Sequence, residues 1–191
     1  MKRAVILHGT GNKPTDHWLP WLEEKLKAEG YNVWVPHLPG NNTPNMQVYN
    51  DYLFGQDWDF EDNIVVGHSS GAVSVLNLLM DERCPHIKLG VMVGAWAKGK
   101  PKGPFLPLQF KNMFPDGGFD FDLIKSKADK LAFLHSDDDP YCPLEQAQNL
   151  AEQLDAPITV LHGAGHIGRG FKEQPDVWKI IEDAIVSRPE N

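Results

Sequence analysis

Gly67-His68-Ser69-Ser70-Gly71 stands between the apolar run Ile64-Val65-Val66 and an amphipathic stretch that begins at Ala72. The pattern Gly-x-Ser-x-Gly, with a strand before it and a helix after it, is typical of a sharp turn that exposes the central serine. Glycine fits on both sides because the backbone is crowded at such a turn. The stretch therefore predicts a strand followed by a helix, with the Ser69 hydroxyl at the helix N-terminus, where the dipole favours negative charge.

Six short apolar runs rich in Val, Ile and Leu predict buried strands. They lie at 3–8, 31–36, 63–67, 89–95, 131–135 and 158–162. Apolar residues recur at helical spacing in 18–26, 72–80, 144–154 and 177–185, and Thr15 is placed to cap the first of these helices. This alternation of strands and helices predicts a parallel sheet covered on both faces, a three-layer α/β sandwich.

Composition and charge narrow the class of protein. A chain of 191 residues with 41% hydrophobic and 23% charged residues suits one globular domain, taken here as 1–191. The net charge of −8 argues against a nucleic acid or an anionic membrane as partner. Two cysteines imply no disulfide framework, and the first apolar run is too short for a signal peptide. We therefore expect a cytoplasmic protein.

The Ser69 hydroxyl needs a base and an acid to act as a nucleophile, and in proteins with this turn both come later in the chain. Asp137-Asp138-Asp139-Pro140 follows the fifth strand. Asp139 is favoured because Pro140 restricts its backbone to extended values, and Asp138 is the alternative. Asp137 and Asp138 are also placed to hold the turn. A solvated acidic turn without a catalytic role is the plainer interpretation.

His166, in the glycine-rich loop 163–166 after the sixth strand, is the candidate base. His162 is the rival, and we expect it to end the strand. The His-x-x-x-His spacing of the pair would suggest zinc on a helix. The intervening glycines, and the absence of the glutamate of His-Glu-x-x-His, argue against a metal site.

The remaining candidates are groups that would contact the substrate. The backbone N–H of Ser70, and that of Thr10 in the first loop with Gly11 as alternative, are candidate oxyanion donors. Segment 98–118, rich in Gly, Pro and Lys, is predicted either to cover the active-site end of the sheet or to be a plain surface loop. Its Phe105 and Phe110, together with Trp96, are candidate pocket residues, and Trp96 fits the edge of the core equally well.

These features together resemble the α/β-hydrolase superfamily, and more narrowly the small serine hydrolases related to retinoblastoma-binding protein 9. The resemblance is carried by four elements: Gly-His-Ser-Ser-Gly at 67–71, Asp-Asp-Pro-x-x-Pro at 138–143, Gly-His at 165–166 and His17-Trp18-x-x-Trp21. It implies Ser69 as nucleophile, Asp139 as acid and His166 as base. It also implies six parallel strands in the order 2-1-3-4-5-6, without a large cap domain.

The sequence thus predicts a serine hydrolase that cleaves a carboxylic ester, or a small amide or thioester, through an acyl-enzyme. The mechanism needs no cofactor or metal, and the partner it implies is a small-molecule substrate. Two alternatives use the same fold. One is a binding protein with little turnover, which an intact triad disfavours, and the other is an acyltransferase with the same residues.

Overall fold

Six parallel strands form one sheet in the computed structural model, which describes residues 1–97 and 107–186. They are β1 (Arg3–Leu7), β2 (Asn32–Trp34), β3 (Ile64–His68), β4 (Ile87–Val93), β5 (Ala128–Ser136) and β6 (Ile158–Leu161). Their order is β2-β1-β3-β4-β5-β6, and every pairing is parallel. The predicted fold class and strand order are confirmed, and each observed strand overlaps its predicted run.

Helices flank the sheet on both sides. They are α1 (Leu19–Ala28), α2 (Met46–Phe54), α3 (Ser70–Met80), α4 (Phe121–Ser126), α5 (Leu144–Gln153) and α6 (Pro175–Val186), with a 3₁₀ turn at Pro107–Phe110. The capping role predicted for Thr15 is wrong, because α1 begins at Leu19 with Trp18 as its N-cap. His17, with φ of 58°, is left-handed and separates the turn at Thr15 from the helix.

Side chains that alternate in direction along the central strands divide the core into two buried clusters, one on each face of the sheet. Val5 and Leu7 of β1 pack in one buried cluster with α2, α3 and α5, whereas Ala4 and Ile6 pack in the other with α1 and α6. The division into two clusters follows from strand geometry, because successive side chains of a strand point to opposite faces of the sheet. The described residues contain no large cap domain, and none of their helices combines the length and hydropathy needed to cross a bilayer.

The parallel arrangement decides where a site can form. The carboxyl ends of all six strands meet at one edge of the sheet, and the loops that follow them converge there. These loops carry Thr10 after β1, Ser69 after β3, Trp96 after β4, Asp139 after β5 and His166 after β6. Residues that lie far apart in the sequence are thereby brought to one edge.

Candidate active site

Ser69 occupies a strained turn between β3 and α3. Its φ of 57° and ψ of −122° lie outside the regions that L-residues normally adopt. The neighbours leave no room for side chains, since a Cβ on Gly67 would lie 2.2 Å from the Gly71 oxygen, and one on Gly71 would lie 2.2 Å from the Leu7 oxygen. The two glycines are therefore a steric requirement of the turn that lifts the serine out of the sheet edge.

Ser69, His166 and Asp139 form a continuous hydrogen-bonded chain. The Ser69 Oγ lies 2.8 Å from His166 Nε2, and His166 Nδ1 lies 2.7 Å from Asp139 Oδ2. Because a carboxylate only accepts, Nδ1 carries the proton and donates it to Asp139, which leaves Nε2 free to accept from the serine. This is the arrangement in which a histidine withdraws the proton of a nucleophilic hydroxyl.

The Asp139 side chain is buried and its two oxygens have separate partners. Oδ2 faces His166, while Oδ1 accepts the backbone N–H groups of Tyr141 and Cys142, each at 2.9 Å. Burial raises the pKa of this carboxyl, but the hydrogen bond and charge of His166 with the two N–H groups outweigh it, so the pKa lies below its usual value. The carboxylate therefore stays ionised and can stabilise an imidazolium at His166.

The other two aspartates of the turn hold the histidine loop. Asp137 Oδ1 accepts the Gly163 N–H at 3.0 Å, and Asp138 Oδ1 accepts the Gly165 N–H at 2.7 Å. The hydrogen bond from Gly163 lowers the pKa of Asp137, and the hydrogen bonds from Ser136 and Gly165 lower that of Asp138. Three consecutive carboxylates thus bind successive parts of one loop, and of the three it is Asp139 that reaches His166.

Two further histidines stand at strand ends: His162 directly follows β6, and His68 is the last residue of β3. His162 is 97% exposed in its side chain and pairs with Asp137, away from Ser69. His68, within the elbow, is buried and donates its Nε2–H to the His166 carbonyl at 2.9 Å. Burial lowers the pKa of His68 to about 3, so the ring is neutral and serves as a structural donor. It ties the loop of His166 to the turn at Ser69.

Candidate oxyanion donors stand near the beginning of the loop after β1 and at the first residue of α3. The Gly11 N–H is already bonded to the Asn41 oxygen at 3.1 Å, which disfavours the alternative donor. Within residues 1–97 and 107–186, the N–H groups of Thr10 and Ser70 have no acceptor. The Thr10 hydroxyl donates to the Ser70 Oγ at 2.9 Å and so links the two segments.

A cavity of about 370 Å³ opens onto Ser69 and His166. Of the predicted pocket residues, Trp96 and Phe110 line it and meet edge to face at 5.4 Å, while Phe105 lies outside the described residues. Trp96 is also 1% exposed, so it serves the core and the cavity at once. Several other lining residues were not predicted as substrate contacts, and they are Asn12, His17, His68, Tyr141, Cys142, Gly168 and Arg169.

Asp139, Cys142 and His166 are the described side chains whose ligand atoms are grouped closely enough to consider a metal, all within 4.8 Å of one another. Both Asp139 oxygens and both His166 nitrogens already have protein partners. Burial raises the pKa of the Cys142 thiol, which keeps it protonated and a poor ligand. The donor set therefore fits proton transfer better than metal binding.

The known proteins that this chain is similar to include hydrolases. A family model described as serine hydrolase matches residues 4–183. YdeN of Bacillus subtilis (strain 168) is 29% identical over 189 residues, which is 94% of each chain. The serine hydrolase RBBP9 of Rattus norvegicus is 23% identical over 171 residues, 86% of each chain.

Solved structures extend the comparison to the fold. The crystal structure of the ydeN gene product superposes with a TM-score of 0.83 at 26% identity, over 97% of this chain and 99% of that one. Est1E from Butyrivibrio proteoclasticus, crystallised with ferulic acid, gives 0.72 at 14% identity, over 98% and 90%. At 14% identity, the similarity to Est1E concerns the fold alone. The α/β-hydrolase fold that the sequence resemblance implied is confirmed.

Proposed function

The chain belongs to the serine hydrolase family, and from this premise we propose that it hydrolyses a carboxylic ester through an acyl-enzyme formed on Ser69. The observation that carries the proposal is the unbroken chain from Ser69 through His166 to the buried Asp139, with distances of 2.8 and 2.7 Å. Each of these three residues has the hydrogen-bond partner that its proposed role requires. A small amide or a thioester would react by the same steps.

Acylation begins when Ser69 Oγ attacks the ester carbonyl and its proton passes to His166 Nε2. The carbonyl oxygen becomes an oxyanion, which the N–H groups of Thr10 and Ser70 would bind. Removing one such donor in comparable sites costs about 3 kcal/mol of transition-state stabilisation. The N-terminus of α3 adds a favourable dipole at the same point.

Collapse of this intermediate breaks the bond between the carbonyl carbon and the alcohol oxygen. His166 returns the proton to the departing alcohol, and the acyl group stays on Ser69. A water molecule then attacks the acyl carbon while His166 accepts its proton. The second collapse breaks the bond between the acyl carbon and Ser69 Oγ, His166 returns the proton to that oxygen, and the carboxylic acid leaves. Asp139 keeps its charge throughout and stabilises the imidazolium in both halves.

Labelling by a fluorophosphonate probe tests the nucleophile directly. We expect the wild-type protein to label at Ser69, and Ser69→Ala and His166→Ala to lose labelling and turnover of 4-nitrophenyl acetate. Ser126→Ala is the matched control, since Ser126 is an exposed serine on α4 outside the cavity. Undiminished labelling of folded Ser69→Ala would refute the assignment. Absence of labelling in folded wild-type protein would favour a binding protein.

A further inference from the structure

The cavity at Ser69 is lined by residues of two chemical kinds. Trp96 and Phe110, which belong to the buried cluster that includes α2, α3 and α5, contribute aromatic rings. The lining also includes His17, from the loop after β1, and Arg169, from the loop after β6. A substrate that fills the cavity would therefore meet both apolar rings and a guanidinium.

The charge of the lining is opposite to that of the whole molecule. The chain carries 26 acidic against 18 basic residues, yet the described lining of this cavity includes no Asp or Glu and does include Arg169. Arg169 forms no ion pair with any residue of 1–97 or 107–186. Among the described residues, the guanidinium therefore has no ion-pair partner in a cavity that also opens onto Ser69.

The backbone before Arg169 is held firmly although its side chain is exposed. Ile167 is fully buried, and its carbonyl accepts the Trp18 Nε1–H at 2.7 Å. Gly168 packs so closely that a Cβ there would lie 2.9 Å from His68 Cε1 and 3.6 Å from His17 Cδ2. These contacts fix the backbone of the segment that leads to Arg169.

Several of the charges that act on His17, another residue of the lining, are positive. Burial lowers the pKa of His17, Asp16 opposes that effect, and the positive charges of Lys172 and Arg169 lower it further. The Asp16 carboxylate accepts the Lys13 N–H at 2.8 Å. Arg169 and Lys172 therefore both act on this part of the lining, against the carboxylate of Asp16.

We propose that Arg169 binds a carboxylate of the substrate, so that the ester this protein hydrolyses is an acidic one. The inference rests on the proposed function and specifies its substrate class. A planar guanidinium presents a fork of donors that matches one carboxylate in two parallel hydrogen bonds. The carboxylate lies on the Arg169 side of the scissile bond, and the apolar part lies against Trp96 and Phe110.

Two matched pairs of esters test the proposal. Mono-4-nitrophenyl adipate against 4-nitrophenyl hexanoate places the charge on the acyl side, and 4-acetoxybenzoate against 4-acetoxybenzamide places it on the alcohol side. We expect the ratio of kcat/KM for charged over neutral ester, in at least one pair, to fall about tenfold in Arg169→Gln. Arg169→Lys should recover part of the ratio, and added salt should lower the wild-type ratio.

Lys179→Gln is the control, because it removes the same charge from an exposed site on α6 and should leave the ratio unchanged. An unchanged ratio for both pairs in Arg169→Gln, with turnover that still depends on Ser69, would overturn the subsite and leave the proposed function intact. Absence of Ser69-dependent turnover of all four esters would refute the proposed function, and the subsite would fall with it.

Discussion

Replacing Asp139 by Asn should invert the hydrogen bond that prepares His166. The Asp139 Oδ1 accepts two backbone N–H groups, from Tyr141 and Cys142, at 2.9 Å each. An asparagine must keep its carbonyl oxygen in that position, since turning the amide would cost two hydrogen bonds inside the protein, roughly 2 kcal/mol or more. Its NH₂ group therefore replaces Oδ2, 2.7 Å from His166 Nδ1.

A donor at that point forces His166 into the wrong tautomer. Nδ1 must accept, so the proton moves to Nε2, which faces the Ser69 Oγ at 2.8 Å and can no longer take its proton. The same substitution in the serine-protease triad lowers kcat about 10⁴-fold, or about 5.5 kcal/mol. We expect a loss of that order here, with the fold retained.

Steady-state hydrolysis of 4-nitrophenyl acetate measures the effect, and circular dichroism with thermal unfolding checks the fold. Asp138→Asn is the matched control, because Asp138 bonds to Ser136 and Gly165 and does not reach His166. We expect it to cost less than about tenfold in kcat, through the loop alone. If folded Asp139→Asn kept more than about a tenth of wild-type kcat, or if Asp138→Asn were the more harmful change, the assignment of the acid would be wrong.

Three further predictions concern stability, packing and the oxyanion donors. The pKa of about 3 for buried His68 lies below the ordinary histidine value, so unfolding takes up a proton between about pH 6.5 and 3. The contribution of His68 to the free energy of unfolding is therefore fully present above that window and is lost as pH falls through it. Urea unfolding from pH 7 to 5 should show the free energy of unfolding fall by up to about 1.4 kcal/mol per pH unit, and His68→Gln should reduce this slope. Equal slopes in the wild type and in His68→Gln would contradict the role given to His68. Gly71→Ala places a methyl group against the β1 backbone and should lower stability by at least about 2 kcal/mol by denaturant titration, whereas Gly117→Ala, with nothing within 4 Å, should be near neutral. Thr10→Val removes the hydroxyl bond to Ser70 and should lower kcat about tenfold, less than the loss of an oxyanion donor; an unchanged kcat would show that this bond does not position the N–H groups.

Local sequence patterns predicted most of the fold. Runs of Val, Ile and Leu identify strands buried on two faces, because such strands need apolar side chains at every position. Two helices, α2 and α4, were not predicted. In α2 the buried face includes Asn50, whose amide bonds to the Asn77 oxygen on α3, so a polar residue interrupts the apolar pattern. The partner that makes this burial favourable belongs to another helix.

The elbow was readable from sequence for a steric reason. Gly67 and Gly71 leave no space for a Cβ, and a serine between two such glycines directly after a strand is the signature of this turn. The early loop shows the opposite case, because Thr15 is a good capping residue by type. The left-handed backbone of His17 prevents the helix from beginning at Thr15, and a sequence pattern contains no signal for that backbone conformation.

The sequence by itself determined the strands, the turn at Ser69 and the chain order of the candidate serine, aspartate and histidine, because these depend on residues adjacent in the chain. The tertiary structure decided which of three neighbouring aspartates faces His166, which amides remain free near Ser69, and that Arg169 stands in the cavity. These outcomes depend on where the loop after β6 lies against the loops after β1, β3 and β5. That placement is set by contacts between segments more than 25 residues apart, such as Gly165 to Asp138 and Trp18 to Ile167.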